Sequence, residues 1–174
     1  MELYLRDNDP TRTLLITASG EELYKTETYQ DGGTTVVLRF QRNAGAGRVA
    51  LEVGKIEPLQ PRGTRLFLYV EHKQLVLRPP AIEGMDSSWT FTGPDGRSYK
   101  WQLFVRQPVL LLNDHSSTPI ARYRRAKLGI VSRSRRAFLE IFPAGVNLVD
   151  FCVVTFVSFA KHTLAIEPEP SLST

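Results

Sequence analysis

Cysteine is almost absent. Cys152 stands alone, which excludes an internal disulfide and a thiolate zinc site. Histidine is scarce as well: His72, His115 and His162 are scattered along the chain, a distribution that does not suggest a metal centre. Neither a metal nor any other cofactor is therefore expected. Long apolar runs are missing too. The most apolar stretch, Leu148 to Ala160, would span about 20 Å as a helix, short of the roughly 30 Å hydrocarbon core of a bilayer, so no transmembrane span is expected. Met1 to Pro10 carries acids and no apolar core of the secretory kind, and an intracellular, cytoplasmic placement is expected. The glycine-rich run Asn43-Ala-Gly-Ala-Gly-Arg48 lacks the following helix and lysine-serine pair of a phosphate-cradling loop and reads as a hairpin turn. Helical periodicity is absent before residue 145, and there is neither an internal repeat nor a domain-sized linker.

What remains is the signature of one folded domain. The chain has 174 residues, 42% of them apolar. A chain of this length can bury roughly 70% of its unfolded surface and needs no disulfide or metal to hold it together. Residues 1–166 are read as a single domain. Residues 167–174, Glu-Pro-Glu-Pro-Ser-Leu-Ser-Thr, are read as a disordered tail. The net charge is +4 and the pI about 9.4, a mild basic excess compatible with anionic partners but not diagnostic of them.

Short runs of period-two alternation between turn residues fill the chain. Leu23–Tyr29 and Thr34–Arg42 flank Asp31-Gly32-Gly33, a hairpin in which Val36, Leu38 and Phe40 share one face. Ser88–Thr92 and Arg97–Val105 flank Gly93-Pro94-Asp95-Gly96, a second hairpin in which Tyr99, Trp101, Leu103 and Val105 share a face. Similar runs lie near Leu3–Leu5, Thr13–Thr17, Val49–Val53, Thr64–Val70, Lys73–Leu77, Val109–Leu112, Pro119–Arg125 and Ala137–Phe142. Pro58–Gly63 and Arg78–Asp86 read as loops and Glu71-His72 as a tight turn. About a dozen short strands argue for a mainly β protein, an antiparallel sandwich or barrel.

Val146–His162 departs from this grammar. Apolar residues occupy every side of it. It is too long for a typical strand, Asn147 is placed to cap a helix with Asp150 three residues on, and Lys161 and His162 suit the far end of the helix dipole. A helix apolar all round must be buried all round, which in an all-β protein runs it through the middle of a barrel. Cys152, on that helix, is expected to be a buried, inert thiol. Asp150 either caps the helix or meets an arginine, the cap being the expectation. Tyr99 and Trp101 are read as core. Trp89 has two readings, core or an exposed residue at a membrane interface.

The best functional lead is a basic run. Arg122, Arg124, Arg125, Lys127, Arg133, Arg135 and Arg136 lie between Thr118 and Arg136 with no acid among them. Guanidinium forks match phosphate oxygens, so phosphoinositide headgroups, acidic membranes or nucleic acid would fit. The bland reading is a solvated face, or pairing across strands with Glu52, Glu57 or Glu140. Asp114-His115-Ser116-Ser117 holds the residue types of a hydrolytic triad, but neighbours in sequence cannot easily reach the relayed geometry, and a polar loop is expected.

The segments Phe91-Thr-Gly-Pro-Asp-Gly-Arg-Ser-Tyr-Lys-Trp101, Ile120-Ala-Arg-Tyr-Arg-Arg-Ala-Lys-Leu-Gly129, Leu139-Glu-Ile-Phe142 and Leu148-Val-Asp-Phe-Cys-Val-Val-Thr-Phe156 resemble an uncharacterised fungal, basidiomycete-type family of unknown function with a tubby C-terminal-like fold. That architecture is shared by tubby proteins, phospholipid scramblases and the plant LURP-one-related proteins. The resemblance implies a closed antiparallel β-barrel of about twelve strands around a buried hydrophobic C-terminal helix. It carries no activity with it, since fold does not imply function. The chain lacks the cysteine-rich segment of the scramblase kind, so lipid scrambling is not implied. The expectation is a non-catalytic module, peripheral at membranes, docking phosphoinositide or another anionic phospholipid through the basic run. The alternative is a protein-interaction domain with strand edges or the Arg78–Asp86 loop as its contact surface. Nucleic acid is not expected, because no recognisable module for it is present.

Overall fold

The computed structural model describes residues 1–30, 33–43, 47–58, 64–70, 73–77, 88–105, 107–127 and 134–163. The expected turn at Glu71-His72, the Arg78–Asp86 loop, Arg133 and the 167–174 tail lie outside the described residues.

Among the described residues twelve strands form one antiparallel sheet: β1 (Glu2–Leu5), β2 (Thr13–Ile16), β3 (Glu22–Thr28), β4 (Thr35–Asn43), β5 (Gly47–Pro58), β6 (Thr64–Val70), β7 (Lys73–Leu77), β8 (Ser88–Thr92), β9 (Ser98–Phe104), β10 (Gln107–Leu112), β11 (Pro119–Arg124) and β12 (Phe138–Ile141). A 3₁₀ turn (Pro143–Leu148) leads into one helix, α1 (Val149–Thr163). The spatial order is β7-β6-β5-β4-β3-β2-β1-β12-β11-β10-β9-β8. Each half of the chain is thus an up-and-down meander, and the two meet where β1 pairs with β12, Leu3 opposite Leu139.

This order corrects the expected closed barrel. β7 and β8 are the outer strands, and no ladder joins them among the described residues. The sheet is open. The burial that suggested closure is nevertheless met in full: every side chain from Phe151 to Ala160 is buried. α1 lies against β5 and β6 from one flank and β11 and β12 from the other, while Trp89 of β8 packs edge-on to Phe159 with centroids 5.6 Å apart. Burying a helix all round requires side-chain cover, which a curled sheet supplies. It does not require the backbone ladder to close.

The 3₁₀ turn and helix together give 21 residues, Pro143–Thr163, with a mean hydropathy of 1.6 over the most apolar 18 of them. That length and composition would suit a membrane span, yet here the apolar faces are the core of the domain. Asn147 is inside the 3₁₀ turn rather than at a helix cap, because Pro143 starts the helical run upstream.

Polar contacts set the helix in register. The Asp150 carboxylate accepts from the Tyr24 hydroxyl at 2.6 Å and from Arg39 Nη1 at 2.7 Å, so it meets an arginine rather than serving as the expected cap. Burial, with Asp150 beside it, raises the Tyr24 pKa. In the middle, Trp101 Nε1 donates to Thr155 Oγ1 at 2.9 Å, and that hydroxyl donates to Phe151 O at 2.6 Å. At the C-terminal end Lys161 Nζ donates to Gly33 O and, at 2.9 Å, to Thr35 Oγ1. These contacts turn Thr35 and Arg39 of β4 inward together with Val37, so the shared face of Val36, Leu38 and Phe40 is the outer one. Tyr99 and Trp101 are core as expected. Trp89 is core as well, not an interface residue. Val105 leaves its expected face altogether: it is 95% exposed.

Candidate functional site

The basic run begins on β11, with Arg122 and Arg124, and the rest of it lies between β11 and β12. Ala121 and Tyr123 are in the core, so alternation sends Arg122 and Arg124 to the outer face. Register places Arg122 opposite Glu140 and Arg124 opposite Phe138. The Glu140 carboxylate accepts from Arg122 through Nε at 3.2 Å and Nη2 at 2.6 Å, and Arg124 Nε is 3.7 Å from the same oxygen. The Arg122 guanidinium also lies 5.4 Å from the Phe142 ring centre. For these two arginines the bland reading of cross-strand pairing with Glu140 is realised. All three side chains keep 25–30% exposure, and pairs of that kind contribute on the order of 1 kcal/mol at most.

Beyond β11 the chain is tied by a bridge. Lys127 and Arg135 exchange backbone hydrogen bonds of 2.8 and 3.0 Å. Arg135 Nη2 donates to Arg125 O at 3.2 Å, and its guanidinium lies 5.7 Å from the Phe138 ring centre. The structure therefore brings Arg122, Arg124, Arg125, Lys127 and Arg135 to one end of the β11–β12 pair, with Arg136 adjacent in sequence. Lys127, Arg135 and Arg136 are exposed, and none has an acidic partner among the described residues. Arg133 lies outside them. The stretch without acids in sequence is not without acids in space: Glu140 sits between two arginines, and the buried Tyr123 feels the charges of both Arg125 and Asp9.

Sequence reasoning missed a neighbour of this cluster, the tip of the β9–β10 hairpin. Phe104 is 48% exposed and Val105 95% exposed. Val105 has φ +47°, a left-handed conformation that is a genuine outlier for a β-branched residue. The missing signal is a turn residue: no glycine, asparagine or aspartate punctuates Phe104-Val105-Arg106-Gln107. A shallow depression of about 480 Å³ runs from this tip along the outer face past Val109 to Phe142 and Arg122.

Other candidates resolve into structure. Ser116 donates its hydroxyl to Asp114 Oδ1 at 2.6 Å and its backbone N–H to the same oxygen at 2.9 Å, a self-bonded turn that lowers the Asp114 pKa. Cys152 is fully buried, and burial pushes its thiol up to about 12, which makes it a poor nucleophile. Among the described residues no group of three His, Cys, Asp or Glu side chains is arranged to hold a metal ion.

The model of a family described as "Family of unknown function (DUF6593)" matches residues 8–163. No curated protein and no solved structure matches the chain.

Proposed function

The chain belongs to the DUF6593 family, whose function is unknown, and on that premise we propose that it is a non-catalytic binding module that docks on anionic phospholipid, phosphoinositide included. The observation that carries this reading is the exposure of the bridged pair Lys127 and Arg135, with the exposed Arg136 next in sequence and no acidic partner for any of them among the described residues. Like charges held together by a backbone bridge repel one another, and an anionic surface relieves that repulsion. Arg122 and Arg124 contribute less, since Glu140 already holds them. The relation to tubby-like proteins, a fungal origin and a peripheral, intracellular location belong to the same proposal.

The test is co-sedimentation with phosphatidylcholine vesicles, alone or containing phosphatidylserine or a phosphoinositide, at low and physiological salt. Each cation near an anionic leaflet contributes about 1 kcal/mol. Removing the three attractions amounts to about a hundredfold, so reversing Lys127, Arg135 and Arg136 to Glu should weaken binding by at least about that factor. Unchanged binding of that triple variant would refute the assignment. A second reading, protein interaction by strand addition, draws on the two outer strands of the open sheet, β7 and β8, whose outer backbone groups join no ladder among the described residues. Reproducible capture of one partner, lost when a proline is placed in β8, would favour it.

A further inference from the structure

Phe104 and Val105 are large apolar side chains displayed at a hairpin tip, where turns ordinarily carry polar or flexible residues. The backbone at Val105, φ +47°, costs free energy that glycine would not. Strain of this kind is held only where the surrounding structure fixes it, and it is a reason to look for function.

The register gives the tip its neighbours. Gln107 pairs with Phe104 to close the hairpin. Val109 lies opposite Arg122 on β11. Two residues back along β10 and two forward along β11 bring Gln107 and Arg124 to the same end of the sheet. Arg124 in turn lies opposite Phe138, and Arg135 and Arg136 enter just before it. The exposed apolar tip therefore projects from the end of the sheet that presents Lys127, Arg135 and Arg136. An apolar point beside unpaired cations is complementary to one surface in particular, an anionic bilayer, which offers negative headgroups and, below them, hydrocarbon. A soluble inositol phosphate would meet only the cations.

We propose that the β9–β10 tip is a membrane-insertion wedge: Phe104 and Val105 enter the headgroup–acyl boundary while Lys127, Arg135 and Arg136 contact the headgroups. This rests on the lipid-docking reading and adds to it a depth and an orientation, with the end of the sheet that carries the C-terminus of α1 facing the bilayer.

The closing experiment uses two variants of the full chain. Val105→Cys provides a labelling site for a polarity-sensitive thiol dye, and Cys152, being fully buried, stays unlabelled in the folded protein. Addition of phosphatidylcholine–phosphatidylserine vesicles should shift the dye to an apolar signature, and acyl-chain quenchers should reach it. Val105→Gly removes the side chain and suits the left-handed backbone, so it folds at least as well as the parent. Its partition onto the same vesicles should be about tenfold weaker, the worth of burying one valine. Salt-sensitive vesicle binding with the dye still in water, and Val105→Gly binding unchanged, would overturn the wedge and leave the lipid reading standing. No binding of the parent protein to any anionic vesicle would overturn both. Binding to a soluble inositol phosphate with no vesicle binding would also overturn the wedge.

Discussion

Replacing Gly54 with alanine should test the packing that organises the whole domain. Gly54 sits in β5 opposite Val37 and Leu68. A Cβ built there would lie 2.4 and 2.5 Å from the two methyls of Val154 on α1. Ordinary contact begins at 3.4 Å, so helix or strand must yield by about 1 Å. Val154 is fully buried and β-branched, with one χ1 rotamer strongly preferred in a helix, so rotation offers little relief. The helix cannot slide freely, because Thr155 is bonded to Trp101 one residue on. Overpacking of this kind costs about 1–3 kcal/mol. Alanine returns about 0.4–1 kcal/mol by restricting the unfolded chain. The net expected loss is about 1–2 kcal/mol. Val154→Ala alone removes two buried methyl groups and leaves a cavity, a loss of about 2–3 kcal/mol. In the double variant the new methyl fills the vacated space, so the combined loss should fall at least about 1 kcal/mol short of the sum. Urea denaturation reports all four proteins, since Trp89 and Trp101 are both core fluorophores. A Gly54→Ala variant within about 0.5 kcal/mol of the parent, or strict additivity of the pair, would refute the close passage of α1 over β5.

Two further outcomes follow from groups inside the domain. Thr155→Val keeps the side-chain shape but removes the acceptor of the buried Trp101 indole N–H, and an orphaned donor of this kind should cost about 1–3 kcal/mol in the same urea assay; a loss near zero would mean that the bond is not formed. His162 lies against Trp89 at 4.9 Å and contacts Thr64, and burial first, then Lys161, lowers its pKa from 6.5. The unfolded chain therefore takes up the proton first as pH falls. Stability should drop below about pH 6.5 and level off once pH passes below the folded-state pKa. His162→Gln should flatten that part of the profile, and an identical pH dependence in parent and variant would show that His162 stays neutral or charged in both states alike.

Much of the architecture was legible because it is written in local chemistry. Alternation and turn residues marked twelve strands, and the all-round apolar run Leu148–Ala160 marked a buried helix, since both signals depend only on which side chains must leave water. The same locality explains what was left open or misread. Val36, Leu38 and Phe40 share a face as read, but the sequence left open which way it turns, and that was decided by Thr35 and Arg39 finding Lys161 and Asp150 on a helix more than a hundred residues away. Asp150 was expected to serve its own helix and instead accepts from Tyr24 and Arg39, partners that no local window contains.

The candidate site divides along the same line. By itself the sequence determined that Arg122 and Arg124 project together and that the basic run contains no acid, because strand alternation and composition are one-dimensional facts. Only the tertiary structure decided that Glu140 occupies two of those arginines, that Lys127 and Arg135 are bridged in the open, and that Phe104 and Val105 stand at the same end. It also decided that the sheet stays open. Burial of α1 fixes how the side chains must surround it, whereas closure depends on whether two edge strands, β7 and β8, meet in register, and that is a question of long-range geometry that no periodicity encodes.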